Sequence, residues 1–254
     1  MDVAYFCIKG DRMVDQITSN AGSLRVLVII PAYNESQSII QTVANVRNAG
    51  FDYLVINDGS VDDTLEICQR HGVNVLDLPQ NLGIGGAIQA GHKYAKLHGY
   101  DVDIQFDGDG QHDAEFLTQL VDEIKKGNDL VIGSRYLKPE AGFQSTFMRR
   151  AGKTLLSGCL RVFAKVHITD PTSGFRACGS RAISLFCDKY PIDYPEPESI
   201  AVAVNNGLAV NEIPVVMHER QGGVSSINAL RSVYYMIKVT LAIVIVCISH
   251  RKVG

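Results

Sequence analysis

The chain contains no tryptophan, no CxxC pair and no long run of lysine and arginine. Because tryptophan is absent, any stacking on a sugar ring has to use tyrosine or phenylalanine. The six cysteines are scattered, which gives neither a zinc-finger pattern nor a disulfide framework and favours the cytosol. The cations are dispersed and the formal net charge is -3, so nucleic acid is not expected as the main partner.

Long uncharged apolar segments are also missing. Residues 233–249 are strongly apolar, but Lys238 interrupts them, and a helix that spans a membrane needs about 20 apolar residues. We therefore predict a helix that lies on a membrane surface or docks on a partner, with a buried core helix as the alternative. Residues 1–22 carry acids early and have no long apolar core, so no signal peptide is predicted.

The apolar sequence that is present suffices for one large domain. Of the 254 residues, 46% are hydrophobic and 20% are charged, which favours a globular fold with a sizeable core. The pattern predicts an N-terminal extension at residues 1–22, this domain at residues 23–228 and the apolar helix at residues 229–254.

The first half of the domain alternates between apolar, β-branched segments and amphipathic segments. Strands are predicted at residues 24–30, 53–56, 73–76 and 101–106, with helices between them. This repeat predicts a doubly wound α/β sheet, which binds ligands at the carboxyl ends of its strands. Asn34 or Ser36 is expected to cap the first helix.

A polar segment follows each predicted strand: PAYNE, NDGS, NLGIGG and DGDGQHD, in chain order. An ordinary loop explains any one of them, but four at one edge of a sheet predict a binding site. The glycine-rich NLGIGG does not form a dinucleotide-binding turn, because the first turn lacks the GxGxxG order. Its backbone amides, beginning at Gly83, could meet a phosphate, or its glycines could serve helix–sheet packing.

The last of these segments contains Asp107 and Asp109, with Gln111 close behind. Carboxylate oxygens on a turn suit a hard divalent cation, Mg²⁺ or Mn²⁺, which keeps other positions for water and substrate phosphates. The alternative is a solvated acidic turn, since Asp-Gly pairs are ordinary turn formers.

The second half of the domain is rich in cations. Arg135 begins a basic segment that extends to Lys153; it is either a path for an anionic, apolar acceptor or a solvated helix face. Arg176, in DPTSGFRAC, either grips a phosphate or forms a structural pair with an aspartate.

Two further segments carry candidate residues. Residues 190–198 are interrupted by prolines and contain Glu196 and Glu198, and a helix is predicted only after them. Residues 220–228 contain Arg220 with two glycines and two serines, which is typical of a loop that folds over a ligand.

The segments PAYNE, NDGSVDDT, NLGIGGA, DGDGQH, IGSRY, DPTSGFR and EIPV, in this order, resemble the family-2 glycosyltransferases of the GT-A fold. The resemblance covers residues 25–228 and is strongest to polyprenyl-phosphate sugar synthases of the dolichol-phosphate mannose synthase type. It implies inverting transfer of a sugar from a nucleotide-sugar donor to a lipid phosphate at the cytosolic face of a membrane. A UDP-hexose donor is favoured, with Mg²⁺ or Mn²⁺ as cofactor.

The resemblance also implies roles for individual residues. On the donor side it places Pro31, Tyr33, Glu35, Asp58, Gly83, Asp107 and Arg220. The metal ligands are Asp107, Asp109 and Gln111, and the catalytic residues are Asp109, Arg176 and Arg220. The acceptor side comprises Arg135, Arg176, Glu196 and Glu198. One departure is that Ser225-Ser226 stands where many relatives have Ser-Lys.

Two alternatives stay open. A sugar hydroxyl of a cell-surface glycan could be the acceptor, with Glu196 or Glu198 as its general base. The fold could also serve as a non-catalytic nucleotide-sugar-binding or scaffold protein. A small membrane-protein partner, or a second copy of the chain, is expected to complete the membrane anchor.

Overall fold

The computed structural model describes residues 24–138, 147–193, 195–216 and 229–251, so the predicted N-terminal extension lies outside it. Within these ranges the strands form one 7-stranded sheet. They are β1 (Val26–Ala32), β2 (Asp52–Asn57), β3 (Val75–Asp77), β4 (Val102–Gln105), β5 (Leu130–Ser134), β6 (Arg176–Gly179) and β7 (Val210–Pro214).

Helices cover both faces of this sheet. They are α1 (Ile39–Asn48), α2 (Thr64–Arg70), α3 (Gly83–Leu97), α4 (Leu117–Lys125), α5 (Phe147–Cys159), α6 (Ser180–Lys189), α7 (Pro195–Asn205) and α8 (Ala229–Arg251). Helices α1, α2 and α4 pack on one face, and α3 and α5 to α8 contribute to the core on the other. The sheet is therefore buried on both sides, as its apolar strands require.

The strand order is β3-β2-β1-β4-β6-β5-β7, and every pairing is parallel except the two made by β6. The sheet is thus mixed rather than purely parallel. Because β6 runs in the opposite direction, its first residue, Arg176, pairs with Gln105 at the carboxyl end of β4. The segment before β6 consequently lies at the same edge as the loops that follow the parallel strands.

Strand β1 shows why the central strands are continuously apolar. Leu27 and Ile29 face one core, while Val28 and Ile30 face the other. All four are at most 1% exposed. An alternating apolar–polar pattern would have left one face of this strand in water.

The predicted cap of α1 is wrong. The N-cap residue is Ser38, which makes no side-chain capping hydrogen bond. Asn34 instead adopts a left-handed conformation (φ 57°), and its Oδ1 accepts a hydrogen bond of 2.9 Å from the Val61 amide. The asparagine therefore ties the loop after β1 to the loop after β2, because a short amide side chain tolerates this backbone conformation.

The prolines of residues 190–198 do not exclude a helix, although the sequence predicts one only after this segment. Helix α7 begins at Pro195 and includes Pro197. Amides in the first turn of a helix have no partner within the helix, so proline loses nothing there. Glu196 and Glu198 thus lie in the first turn of α7. Strand β6 and helix α6 were not predicted.

The C-terminal helix α8 has two different sides. Val239, Ile243 and Cys247 are buried in the core that α7 shares. Ile237, Leu241, Ile245 and Ile248 are 46% to 61% exposed. Among the residues that the structure describes, no helix has both the length and the apolar character needed to cross a membrane.

Gly85, in the first turn of α3, allows a close contact that the fold requires. A Cβ atom at this position would lie 2.2 Å from the carbonyl oxygen of Ile192 and 2.3 Å from that of Pro191. The helix thus packs directly on the backbone that leads to α7, and no larger residue fits without movement of one of them.

We expect Gly85→Ala to lower the free energy of unfolding by about 1–3 kcal/mol, because the added methyl meets fixed backbone. Gly158→Ala is the matched control, since Gly158 is exposed in α5 and a Cβ there meets nothing within 4 Å. The control should gain about 0.5–1 kcal/mol through helix propensity. Urea unfolding measures both, and equal effects of the two substitutions would contradict the packing described.

Candidate active site

The carboxyl ends of β1, β2 and β4 surround a cavity of about 260 Å³. It collects most of the residues that the sequence singled out. Those lining it are Pro31, Tyr33, Glu35, Asp58, Asp107, Asp109 and Glu196. Ile84 and Ala87 of α3 supply apolar wall. A few carboxylates converging on a partly apolar cleft at strand ends are typical of a ligand site in an open α/β sheet.

The loop that carries Asp107 and Asp109 is held against β1 and α1. The Thr42 hydroxyl donates a hydrogen bond of 3.1 Å to the Gly108 carbonyl oxygen. A Cβ at Gly108 would lie 2.9 Å from the Pro31 carbonyl oxygen, so only glycine permits this approach. The two carboxylates are therefore placed beside Pro31 rather than left on a free turn.

His112 fixes Asp107 from the inside. The Asp107 amide donates to His112 Nδ1 at 2.9 Å, which leaves the proton on Nε2, and Nε2 lies 3.4 Å from Asp107 Oδ2. The imidazole stacks on Phe175, with ring centroids 4.7 Å apart, and Phe106 meets its edge at 5.3 Å. Burial lowers the pKa of His112, against the opposing charge of Asp107, so the ring is neutral.

The segment before β6 closes around the same carboxylate. A Cβ at Gly174 would come within 3.0 Å of Asp107 Oδ2. Asp107 is therefore confined by Gly174 on one side and His112 on another, while its side chain stays 33% exposed toward the cavity. A confined, partly exposed carboxylate beside a second one fits a divalent cation that also binds substrate oxygens.

Gln111 contributes to this turn mainly through its backbone. Its amide donates 3.1 Å to Asp109 Oδ1, and the residue does not line the cavity. Its predicted role as a metal ligand stays a prediction.

Asp58 holds the glycine-rich turn in place. Its Oδ1 accepts a hydrogen bond of 2.7 Å from the Leu82 amide. Burial raises the pKa of Asp58, and the Leu82 and Gly83 amides oppose that shift. Gly83 itself has φ +75°, a conformation that favours glycine. It does not line the cavity, although its neighbour Ile84 does.

Tyr33 and Glu35 flank the entrance. Tyr33 is 47% exposed, so its ring is available to a planar ligand. Glu35 Oε2 accepts a hydrogen bond of 2.9 Å from the Ser38 hydroxyl, and its amide donates to Thr64 Oγ1. The loop after β1 is thus fixed on both α1 and α2.

Glu196 reaches the cavity from the first turn of α7. Burial raises the pKa of its carboxyl, while the charge of Arg176 opposes the shift. Arg176 is only 3% exposed, and its guanidinium donates to the carbonyl oxygens of Glu196, Ser173 and Pro171 and to the Ser199 hydroxyl. The structure therefore shows Arg176 anchoring α7, and contact with an acceptor phosphate stays a prediction.

The sequence offers an Arg–Asp pair as the alternative role of Arg176. In the structure, Arg135 is the residue that forms such a pair. Its Nε and Nη2 lie 2.6 Å and 2.7 Å from the two oxygens of Asp170. The hydrogen bonds and charge of Asp170 outweigh the effect of burial and raise the pKa of Arg135. A side-on pair of this kind fixes the guanidinium plane.

Glu212, on β7, supports this pair and was missed as a candidate. Its carboxylate accepts hydrogen bonds from the Thr169 amide at 2.7 Å and the Asp170 amide at 2.9 Å. It therefore sets the position of Asp170 and, through it, of Arg135. The signal in the sequence was the acid beside the apolar residues of the EIPV segment.

The two remaining predicted residues are Glu198 and Arg220. Glu198 lines a separate cavity of about 340 Å³ beside α8, together with Lys238 and Asp193, which form an ion pair. Burial raises the pKa of Glu198, and the charge of Asp193 adds to the shift. Arg220 lies outside the described residues.

A family model described as "Glycosyl transferase family 2" matches residues 27–184. The chain belongs to this family, and it is a glycosyltransferase. The match includes the strands and loops that build the cavity, from β1 to β6, but ends before α7.

Named relatives are similar in sequence over three quarters or more of this chain. Polyprenol monophosphomannose synthase of Mycolicibacterium smegmatis is 32% identical over 80% of this chain and 81% of its own length. Undecaprenyl-phosphate mannosyltransferase of Micrococcus luteus is 32% identical over 81% of this chain and 88% of its own. A UDP-N-acetylglucosamine–dolichyl-phosphate N-acetylglucosaminyltransferase of Methanococcus voltae is 28% identical over 75% and 84%.

Solved structures establish the fold class. Glucosyl-3-phosphoglycerate synthase from Mycobacterium tuberculosis, in complex with Mn²⁺, UDP and glucosyl-3-phosphoglycerate, superposes with a TM-score of 0.67. The superposition covers 88% of this chain and 80% of the synthase chain, at 18% sequence identity. The likeness confirms a mixed α/β sheet of the GT-A kind.

We expect Glu212→Gln to lower the free energy of unfolding by about 1–3 kcal/mol, because an NH₂ group then faces backbone amides that need an acceptor. The same change at Glu66, whose ion pair with Arg70 is 69% and 62% exposed, is the control and should cost about 0.5 kcal/mol or less. Chemical denaturation measures both, and an equally small effect at Glu212 would show that the 169–170 segment is held by other contacts.

Proposed function

We propose that the protein transfers a hexose from a nucleotide sugar, with UDP-sugars favoured, to a polyprenyl phosphate. The observation that carries the proposal is that Asp107 and Asp109 line the same cavity as Pro31, Asp58 and Glu196. Three relatives are named for transfer to polyprenol, undecaprenyl or dolichyl phosphate, which supports the acceptor. Their sugars differ, since two are named for mannose and one for N-acetylglucosamine.

The nucleotide is assigned to the part of the cavity near β1 and β2. Tyr33 offers an exposed ring for a base, and Asp58 and Glu35 offer acceptors for its N–H groups or for ribose hydroxyls. The amides of the turn that Asp58 holds lie next to the cavity, where the start of α3 favours negative charge. This arrangement leaves the sugar between Asp109 and Glu196.

The donor diphosphate requires a cation opposite the carboxylates. Asp107 and Asp109 would hold Mg²⁺ or Mn²⁺, which stabilises negative charge on the leaving diphosphate as a Lewis acid. The confinement of Asp107 by His112 and Gly174 keeps one ligand in position, so little reorganisation accompanies the reaction. Structures of the related fold were obtained with Mn²⁺ and UDP, which supports a metal of this kind.

The chain's own residues then have to orient two substrates. A phosphate oxygen of the acceptor attacks the anomeric carbon as the bond from that carbon to the nucleoside diphosphate breaks, which inverts its configuration. An acceptor phosphate is already ionised at neutral pH and needs no general base. Arg135, fixed by Asp170, is assigned to this acceptor side, and Arg220 is assigned to the diphosphate.

A hydroxyl acceptor is the second candidate, and one observation favours it. Glu196 lies at the cavity with a raised pKa, as suits a general base. A hydroxyl reaction would accelerate as the pH rises through this pKa, because only the ionised carboxylate takes the proton. The lipid-phosphate reaction has no such requirement.

We place the protein peripherally on the cytosolic face of the cell membrane. The outward side of α8, with Ile237, Leu241, Ile245 and Ile248 exposed, would rest on the lipid surface. A small membrane protein or a second copy of the chain remains a proposed partner there.

The first test uses purified protein, undecaprenyl phosphate in vesicles and three labelled donors: UDP-glucose, UDP-N-acetylglucosamine and GDP-mannose. We expect one donor to give a lipid-extractable, mild-acid-labile product with Mn²⁺ and none with EDTA. Asp109→Asn should lower the rate by about 100-fold or more, because charge stabilisation by the cation is worth several kcal/mol.

Asp113→Asn is the matched control for that substitution. Asp113 accepts a hydrogen bond of 2.9 Å from the Glu115 amide and does not line the cavity. Asparagine keeps this acceptor, so the rate should match that of the parent. A lipid product that forms equally well in EDTA, or no lipid product from any of the donors, would refute the proposal.

The second test separates the two acceptors. With a lipid phosphate, Glu196→Gln should retain the transfer rate within about tenfold, since no proton has to be removed. With a hydroxyl acceptor, the same substitution should instead lower the rate by about 10²–10⁴, because the general base is lost. Glu198→Gln controls for the loss of a negative charge in α7, because Glu198 lines the other cavity.

A further inference from the structure

A second cluster of potential ligands lies within the core, apart from the cavity. His92 of α3, Asp103 of β4 and Cys178 of β6 place their ligand atoms within 4.8 Å of one another. Asp103 and Cys178 are directly paired across the two strands, and His92 reaches them from the helix above. All three residues are at most 3% exposed.

The polar atoms of this cluster are incompletely satisfied. His92 Nδ1 lies 2.7 Å from Asp103 Oδ2, but Asp103 Oδ1 and His92 Nε2 have no hydrogen-bond partner in the described structure. A buried polar atom without a partner is costly, and an acid in an apolar core is costlier still. The rings of Phe186 and Tyr190 enclose the imidazole at 5.4 Å and 5.0 Å, which keeps water away.

We infer that His92, Asp103 and Cys178 form a structural binding site for a zinc-type divalent cation. Imidazole, carboxylate and thiolate are the ligand types that zinc takes in proteins. If Asp103 binds through both oxygens, the three side chains supply four donor atoms, and Oδ1 gains the partner that it lacks. Binding releases the thiol proton of Cys178, so the two negative ligands balance the charge of the ion.

The distances require only small adjustments. Zinc bonds of about 2.3 Å to sulfur and 2.0 Å to nitrogen place ligand atoms roughly 3.5 Å apart. In the structure the ligand atoms lie within 4.8 Å of one another. Side-chain rotations that move them by about 1 Å bring them to the spacing that zinc requires. The hydrogen bond between His92 and Asp103 is replaced by bonds to the ion. Cysteine spacing did not reveal this site, because its ligands come from three separate elements.

The position of the site gives it a consequence for the fold. Asp103 and Gln105 face the same side of β4, two residues apart, and Asp107 follows. A cation would therefore join α3, which carries the glycine-rich turn, to the strand that ends at the carboxylates. The site is assigned a structural role, because the cluster is enclosed and none of its three residues lines the donor cavity.

The test uses cobalt as a spectroscopic probe. Because the cluster is enclosed, the full-length protein is unfolded under reducing conditions and refolded with Co²⁺, and zinc is also measured by mass spectrometry in protein purified without added metal. We expect a thiolate-to-cobalt charge-transfer band and about one tightly held ion per chain that survives dialysis against EDTA. Cobalt at Asp107 and Asp109 cannot give this band, because carboxylates lack the sulfur.

Two cysteine variants identify the ligand. Cys178→Ser should abolish the band, whereas Cys68→Ser should retain it, because Cys68 is equally buried but lies in the core on the opposite face of the sheet. Absence of the band in refolded wild-type protein that has regained its native circular dichroism overturns the inference without any variant. A band that persists in Cys178→Ser overturns it as well. In either case the cluster is a hydrogen-bonded group only.

Discussion

The hydrogen bond from the Asp107 amide to His112 is the constraint on which the site depends. It turns the chain at the end of β4, where a strand would otherwise continue into a free loop. The imidazole can accept only because burial between Phe106 and Phe175 keeps it neutral. A protonated ring would have no acceptor for this amide, and the loop that holds Asp109 would lose its support.

The remaining loops are fixed to this centre by short polar contacts between elements distant in sequence. Asn34 ties the loop after β1 to that after β2, and Asp58 ties the latter to the turn before α3. On the other side, Glu212 and Asp170 hold Arg135. These contacts hold the loops in position, so the carboxylates facing the cavity are pre-organised.

Much of this arrangement could be predicted from the sequence, because strand ends and polar loops are local patterns. The apolar strands β1 and β2 and the assembly of Pro31, Asp58, Asp107 and Asp109 at one edge follow from the parallel repeat. Strand β6 could not be predicted in this way, because it begins with a buried arginine and ends with a glycine. Arg176 is tolerated in the buried strand only because α7 supplies hydrogen-bond acceptors for its guanidinium. Asn34 was misassigned because a cap and a cross-loop contact use the same amide, and only tertiary structure decides between them.

The most direct measurement is anomalous diffraction from crystals grown with Mn²⁺ and UDP. We expect a manganese peak between the carboxylates of Asp107 and Asp109, with the uracil near Tyr33 and Asp58 and the diphosphate bound to the ion. A nucleotide bound elsewhere, such as in the cavity lined by Glu198 and Lys238, would contradict this expectation. So would a manganese ion held by neither aspartate.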